Sequence, residues 1–364
     1  MKIIQLLTRP QLRGAEIFAL QLSEQLKERG HEVLVISILS GTGDLAFSGE
    51  FIQLGRQNRT HLDWVGFWQL KKIIDSFQPN IVQANASDTL RHGVFAKKLA
   101  TNRFQLIYRN ANMMSPFIKS RWKKMYYHFL VNQTDAVISV SQATRIDLIN
   151  FYGFKKVTKT VPIGIDTLEI ERLSSQKLDF DLPQNFLLFM GGLVPEKNPE
   201  WLLTTFFEYQ RVWSHLNLVY MGKGSLENRL KSKIMKYGLE DRVHILPSQT
   251  NPFPILKRAK ALVLTSKIEG LPAVILEAMI HKVPVIAFGV GGIPEVLKTE
   301  ETGWCIPPKD SQAFIEAILE VISMKKGTKQ KILDQAYLFV CTHFSLPQVS
   351  LQFEEFYKYL LKQN

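Results

Sequence analysis

The stretch Lys267-Ile268-Glu269-Gly270-Leu271-Pro272-Ala273-Val274-Ile275-Leu276-Glu277 follows an unbroken apolar run, Ala261-Leu262-Val263-Leu264-Thr265. Such a run reads as a parallel strand covered on both faces. The residues after it predict a loop ending at Pro272 and a helix over 273–281. Proline suits a helix start, where its missing N–H has no intrahelical acceptor to lose. The free N–H groups of Ala273 and Val274 then point out of the helix end, where the dipole favours an anion. Glu277 lies ~7.5 Å further along at ~1.5 Å per residue, roughly the reach from a diphosphate to a ribose. Glu269 sits before the helix, free to meet whatever hangs from the other end of the diphosphate. Two carboxylates with an anion seat between them point to a nucleotide diphosphate carrying a sugar. The plain alternative is a surface glutamate on a helix and a second one in a loop.

The flanking sequence extends the pattern through Glu277-Ala278-Met279, Val283-Pro284-Val285-Ile286-Ala287, Gly291-Gly292-Ile293-Pro294-Glu295-Val296 and Gly303-Trp304-Cys305-Ile306-Pro307-Pro308. From Ala261 to Pro308 the chain resembles the Glu-x7-Glu segment of the family 4 retaining glycosyltransferases, which have the GT-B fold. The resemblance implies an α/β protein of two Rossmann-like, doubly wound parallel-sheet domains facing a central cleft. It implies that Glu277 holds the donor ribose, with Gly270, Leu271, Ala273 and Val274 at the diphosphate. Glu269 would position the sugar or stabilise positive charge developing at its anomeric carbon.

A chain of 364 residues with 46% hydrophobic and 21% charged residues is globular and long enough for two α/β domains. It contains no run of eighteen apolar residues, so no membrane-spanning helix is expected, and the start at 2–8 reads as a strand rather than a signal peptide. Cys305 and Cys341 form neither a disulfide framework nor a metal spacing, which fits a cytoplasmic protein. No metal-ligand cluster is evident, so no metal and no cofactor are expected. The net charge of +12 calls for a polyanionic partner or serves solubility. No nucleic-acid-binding motif is present, and an enzyme at the inner face of an anionic membrane fits the charge better.

Strand and helix patterns alternate along the first half of the chain. Strands are expected at 2–8, 32–39, 80–84, 104–109, 136–140 and 157–161, with helices at 15–29, 63–77, 88–100, 116–131 and 141–152. Alternation of this kind predicts a doubly wound parallel sheet that binds ligands beyond the carboxyl ends of its strands. The first crossover, Thr8-Arg9-Pro10-Gln11-Leu12-Arg13-Gly14-Ala15-Glu16, lacks the Gly-x-Gly-x-x-Gly fingerprint of dinucleotide-binding enzymes. It resembles the Gly-Gly-Ala-Glu loop that closes over the donor diphosphate in family 4, with Arg13 in place of the first glycine and Gly14 in place of the second. Ser115-Pro116 reads as the start of a helix on which Ile118, Trp122, Met125 and Phe129 share one face, with Lys119, Lys123 and Lys124 away from it and Arg121 at its flank. That helix either packs its apolar stripe on its own sheet or meets a membrane surface. Arg109-Asn110 ends a strand near where the resemblance puts a sugar-contacting histidine. These two residues are tentative acceptor-side or sugar-side contacts, or else a local turn.

Val161-Pro162-Ile163-Gly164-Ile165-Asp166 resembles the family's Pro-Asn-Gly-x-Asp linker, with Ile163 for asparagine. The domain division expected is 1–172, 173–344 and a last helix over 345–364, an element that in GT-B proteins often crosses back onto the first domain and whose course here no sequence pattern decides. Strands in the second half are expected at 186–191, 217–221, 243–246, 261–265 and 284–288, with helices at 199–213, 226–237, 254–259 and 273–281. Gly191-Gly192-Leu193-Val194-Pro195-Glu196-Lys197-Asn198-Pro199 is a strand-end glycine turn followed by a cation. By resemblance, Lys197 neutralises the donor's β-phosphate while Gly191 and Gly192 approach it. Relatives usually carry arginine where Gly192 stands, and here Lys223 or Arg13 is the substitute.

The resemblance implies a hexosyltransferase-like enzyme of polysaccharide biosynthesis. It would move a sugar from a nucleotide-diphosphate sugar, its co-substrate, to a hydroxyl of a cell-surface glycan or lipid-linked acceptor, with retention and without metal. A non-catalytic GT-B subunit that binds nucleotide-sugar or a partner transferase is the alternative, supported by the departures at Gly192, Ile163 and Asn110. A GT-B sugar-nucleotide epimerase would need an acid/base array that the sequence lacks.

Overall fold

The computed structural model describes the chain except for residues 12–13, 42, 44–46, 57–62 and 364. The chain forms two compact units, one of Met1–Gly164 with Leu346–Asn364 and the other of Ile165–Ser345.

The first unit is built on seven parallel strands: β1 (Lys2–Leu7), β2 (Glu32–Leu39), β3 (Glu50–Arg56), β4 (Ile81–Ala84), β5 (Gln105–Asn110), β6 (Ala136–Ser139) and β7 (Val157–Thr160). Their order is β3-β2-β1-β4-β5-β6-β7. The central strands are apolar on both faces because helices cover both sides of the sheet. β3 was absent from the expected strands, and the reason is local. Within Glu50–Arg56 only Leu54 is buried, as suits an edge strand paired on one side.

The second unit has six parallel strands: β8 (Phe186–Met190), β9 (Asn217–Met221), β10 (Val243–Leu246), β11 (Ala261–Leu264), β12 (Val285–Phe288) and β13 (Trp304–Ile306). The order is β10-β9-β8-β11-β12-β13. Trp213, Trp304, Phe206 and Phe189 anchor its core. Helices Ser311–Ser323 and Lys326–His343 close the unit and had no counterpart among the expected elements. The chain enters this unit at Ile165 and leaves it at Ser345, and these two residues bridge each other.

One helix start is corrected. Residues 115–117 form a turn, and the helix runs Arg121–Asn132 with Ser120 at its N-cap. Asp147 explains the shift, because its Oδ2 accepts the backbone N–H groups of Met114 and Ser115 at 2.6 and 3.1 Å and pins a turn there.

Candidate functional site

In the second unit the chain lays down β8, moves outward to β9 and β10, and returns to the far side of β8 with β11. The strand order therefore reverses between β8 and β11, where an open α/β sheet leaves a crevice beyond its carboxyl ends. Residues 191–198 follow β8 and residues 265–272 follow β11. The two loops are tied through backbone: Lys267 N–H donates to the Glu196 carbonyl at 2.7 Å, and the Thr265 hydroxyl donates to the Asn198 carbonyl at 3.0 Å. That bracing brings the Lys197 ammonium to both carboxylate oxygens of Glu269, at 2.5 and 2.7 Å. The Ser266 hydroxyl donates to Glu269 Oε1 at 2.6 Å. Glu269 is buried, whereas 29% of the Lys197 side chain reaches solvent, so the pair presents its cation outward.

Glycines let the neighbouring loops press against this pair. Gly222, after β9, has φ +154°, and a Cβ there would fall 1.9 Å from the Gly191 carbonyl oxygen. Gly291, after β12, has φ +57°, and its Cβ would fall 1.9 Å from the Glu269 carbonyl oxygen. The adjacent Gly292 N–H donates to the Gly270 carbonyl at 2.8 Å. Side chains at either position would drive the loops apart, and φ in this region disfavours them independently.

Helix Ala273–Ile280 starts beyond Pro272, which is its N-cap. Ile275, Leu276, Ala278, Met279 and Ile280 are buried, leaving Ala273, Val274 and Glu277 on the half-buried side. The first-turn N–H groups have no acceptor within the helix. Burial pushes the Glu277 carboxyl up to about 7. No described side chain bonds to it, so among the described residues no side chain offsets the loss of water.

The expected donor-side residues Gly191, Gly192, Lys197, Lys223, Glu269, Gly270, Leu271, Ala273, Val274 and Glu277 thus lie on loops and a helix at one end of one sheet. Lys223 is exposed, and its carbonyl accepts the Leu193 N–H at 3.0 Å. Gly14 is in the first unit, at the start of helix Gly14–Glu28, and Arg13 lies outside the described residues. Arg109 and Asn110 are inside the first unit. Arg109 is 1% exposed with its guanidinium 4.3 Å from the Phe18 ring, and burial lowers its pKa to about 10. Asn110 donates to the Thr144 carbonyl at 3.1 Å. Ser266 and Thr265 were not foreseen. The signal available for Ser266 was its place three residues before Glu269, a spacing at which short polar side chains bond locally. Among the described residues, no group of three or more His, Cys, Asp or Glu is arranged to hold a metal ion.

Residues 12–168 match the family model for Glycosyltransferase Family 4, and residues 171–337 match that for Glycosyl transferases group 1. The chain belongs to the family 4 type of glycosyltransferase. Over 237 residues it is 26% identical to an uncharacterized glycosyltransferase of Methanocaldococcus jannaschii, covering 60% of this chain and 58% of that one. It is 23% identical over 232 residues to the N-acetylgalactosamine-N,N'-diacetylbacillosaminyl-diphospho-undecaprenol 4-alpha-N-acetylgalactosaminyltransferase of Campylobacter jejuni, covering 61% of this chain and 62% of that one. The matches thus span less than two thirds of either relative. Among solved structures, HepE of Anabaena in complex with UDP and glucose superposes with a TM-score of 0.82 at 21% identity, over 99% of this chain and 100% of HepE. Two Rossmann-like units with this likeness make the fold GT-B.

Proposed function

We propose that the protein transfers a sugar from a nucleotide-diphosphate sugar to a hydroxyl of a lipid-linked or cell-surface glycan, with retention and without a metal ion, in the cytoplasm. The observation that carries this reading is the bonding of Lys197 to Glu269 across the strand-order reversal, beside a helix whose N-terminus is open to an anion. Glu269 engages the ammonium through two contacts, and an ammonium has three donors. One is left for the β-phosphate oxygen that gains charge as the glycosidic bond breaks. The N–H groups of Ala273 and Val274 complete the neutralisation on this unit, so a divalent ion is not required. The negative Glu269 carboxylate stabilises positive charge at the anomeric carbon. The acceptor's proton passes to the departing phosphate oxygen, which removes the need for a side-chain base. Glu277 accepts the ribose hydroxyls. Arg109 and Asn110, being buried, are given no direct contact with the acceptor in this reading.

The diphospho-undecaprenol in the name of the Campylobacter relative favours a lipid-linked acceptor, and the UDP and glucose bound to HepE make UDP-hexoses the first donors to try. The test is a panel of nucleotide-sugars in EDTA, read by thermal shift and by release of nucleoside diphosphate. A donor should raise the melting temperature, Glu277→Ala should weaken its binding about tenfold, and Lys197→Ala should lower turnover by about a hundredfold or more. A panel in which no donor protects the protein defeats the binding claim. Donors that bind but never turn over with lipid extracts would favour a non-catalytic, donor-binding subunit.

A further inference from the structure

Residues 89–134 contain nine lysines and arginines and no aspartate or glutamate. That one stretch equals three quarters of the chain's excess of twelve positive charges. Within it, helix Arg121–Asn132 packs into the first unit through buried Leu130 and Val131, with Tyr126 and Tyr127 half-buried against the core. The stripe Trp122, Met125 and Phe129 therefore faces away from the sheet. These side chains are 79%, 61% and 41% exposed, whereas Ile118, expected on the same face, precedes the helix and is buried in the core. Phe117 is also exposed just before the helix.

The cations that frame the stripe are Lys119, Arg121, Lys123 and Lys124, all exposed, and Lys98 from the neighbouring helix Ser87–Leu99. Lys98 Nζ stands 4.7 Å from the Phe129 ring centre, and Lys124 Nζ stands 4.3 Å from that of Phe151. None of the five is ion-paired among the described residues. A water-facing helix ordinarily turns charged and polar groups outward. Three large apolar side chains on that side, ringed by unpaired cations, is the arrangement of a helix lying in a bilayer interface. Among the described residues no helix is long and apolar enough to cross a membrane.

We infer that helix Arg121–Asn132 with its preceding turn is a docking surface for an anionic lipid bilayer, into which Trp122, Met125 and Phe129 insert while the five cations meet the headgroups. Its purpose rests on the proposed lipid-linked acceptor, but its evidence does not. An anionic surface over an apolar interior satisfies both halves of the patch at once, whereas an acidic protein would satisfy only the cations.

The test is flotation of the purified full chain with vesicles of phosphatidylcholine alone, or of a two-to-one mixture of phosphatidylcholine and phosphatidylglycerol. Partition into the mixed vesicles should exceed that into neutral ones and fall steeply with added salt. Changing Lys119, Arg121, Lys123 and Lys124 together to Gln should lower partition by about tenfold or more, at roughly fivefold per cation as an upper bound. Trp122→Ser with Met125→Ser should lower it by about tenfold with no loss of melting temperature, and Met235→Ser, equally exposed but in the second unit, should change nothing. Brominated lipid should quench tryptophan emission in the wild type and not in Trp122→Phe. Equal flotation of wild type and the four-cation variant, or quenching that survives Trp122→Phe, overturns the inference. Self-association abolished by Trp122→Ser, without vesicle binding, would assign the patch to a second copy of the chain and overturn it as well. Flotation uses neither donor nor acceptor, so its failure leaves the transferase reading standing.

Discussion

Glu277 places binding and stability in opposition. Its carboxyl titrates near 7 in the folded chain because burial disfavours the charge, against an ordinary value of 4.5. Between those two values the folded state holds a proton that the unfolded state has released, so stability falls as pH rises through that window. The full shift is worth about 3 kcal/mol, and partial exposure of the side chain reduces it to about 2. Glu277→Gln should therefore be more stable than wild type by about 2 kcal/mol near pH 8 and equal to it near pH 4, in urea titrations across that range. A constant difference at every pH would show that burial of this carboxylate is not the cause. Donor affinity should move the other way, rising as Glu277 ionises, and the Gln variant should lose that rise. This residue was legible in the sequence because helical spacing from Pro272 put it on a predictable side. Arg109 was not legible in the same way. A polar residue at a strand end looks like a site residue until Phe18 and the helix Leu346–Lys362 are known to cover it, and no local pattern announces a cover that distant.

At the scale of elements, the loop after β8 carries Gly192 where the family resemblance implies an arginine, and that difference can be reversed. Gly192 has no positive φ, and a Cβ there would meet Val194 Cγ2 at 3.5 Å and the Lys223 carbonyl oxygen at 3.9 Å, which are ordinary contacts. The backbone thus admits a side chain at 192, in contrast to Gly222 and Gly291. Lys197 already gives part of its charge to Glu269, so a second cation beside the diphosphate has work available. Gly192→Arg should improve kcat/KM for the donor by about three- to tenfold through charge-assisted bonding, with melting temperature unchanged. A variant that folds normally and turns over no faster would mean that Lys223 already fills that place. Elements of this kind were readable where apolar runs or glycine turns mark them. β3 and β13 were missed because one is a half-exposed edge and the other is three residues long. The helix start near 116 was misplaced because Asp147, thirty-odd residues away, accepts the Met114 and Ser115 N–H groups and holds that segment in a turn.

At the scale of the molecule, the chain's last helix is part of the unit that the chain begins with. Val349, Phe353, Phe356, Tyr357 and Leu360 of helix Leu346–Lys362 are buried, and Phe353 meets Phe18 of helix Gly14–Glu28 with ring centres 5.8 Å apart. The Tyr357 hydroxyl donates to Gln83 Oε1 at 2.6 Å, and Gln83 Nε2 in turn donates to Gln5 Oε1 at 3.1 Å and Asn85 Oδ1 at 2.9 Å. At ~1.5–3 kcal/mol per buried side chain the helix contributes on the order of 10 kcal/mol, an upper bound given residual burial in the unfolded chain. That is comparable with the entire ~5–15 kcal/mol of a typical domain. A chain ending at Ser345 should therefore lose the cooperative unfolding transition of its first unit. The second unit, Ile165–Ser345, is complete in that shortened chain and should keep a transition that nucleoside diphosphate raises. Adding the 346–364 peptide in trans should restore the lost transition. Tyr357→Phe should be the mild version, costing about 1–2 kcal/mol by leaving Gln83 without its hydroxyl donor. Two unaltered transitions in the shortened chain would mean that the first sheet holds its buried glutamines and Arg109 without the tail, and that the tail's burial there is incidental to the fold.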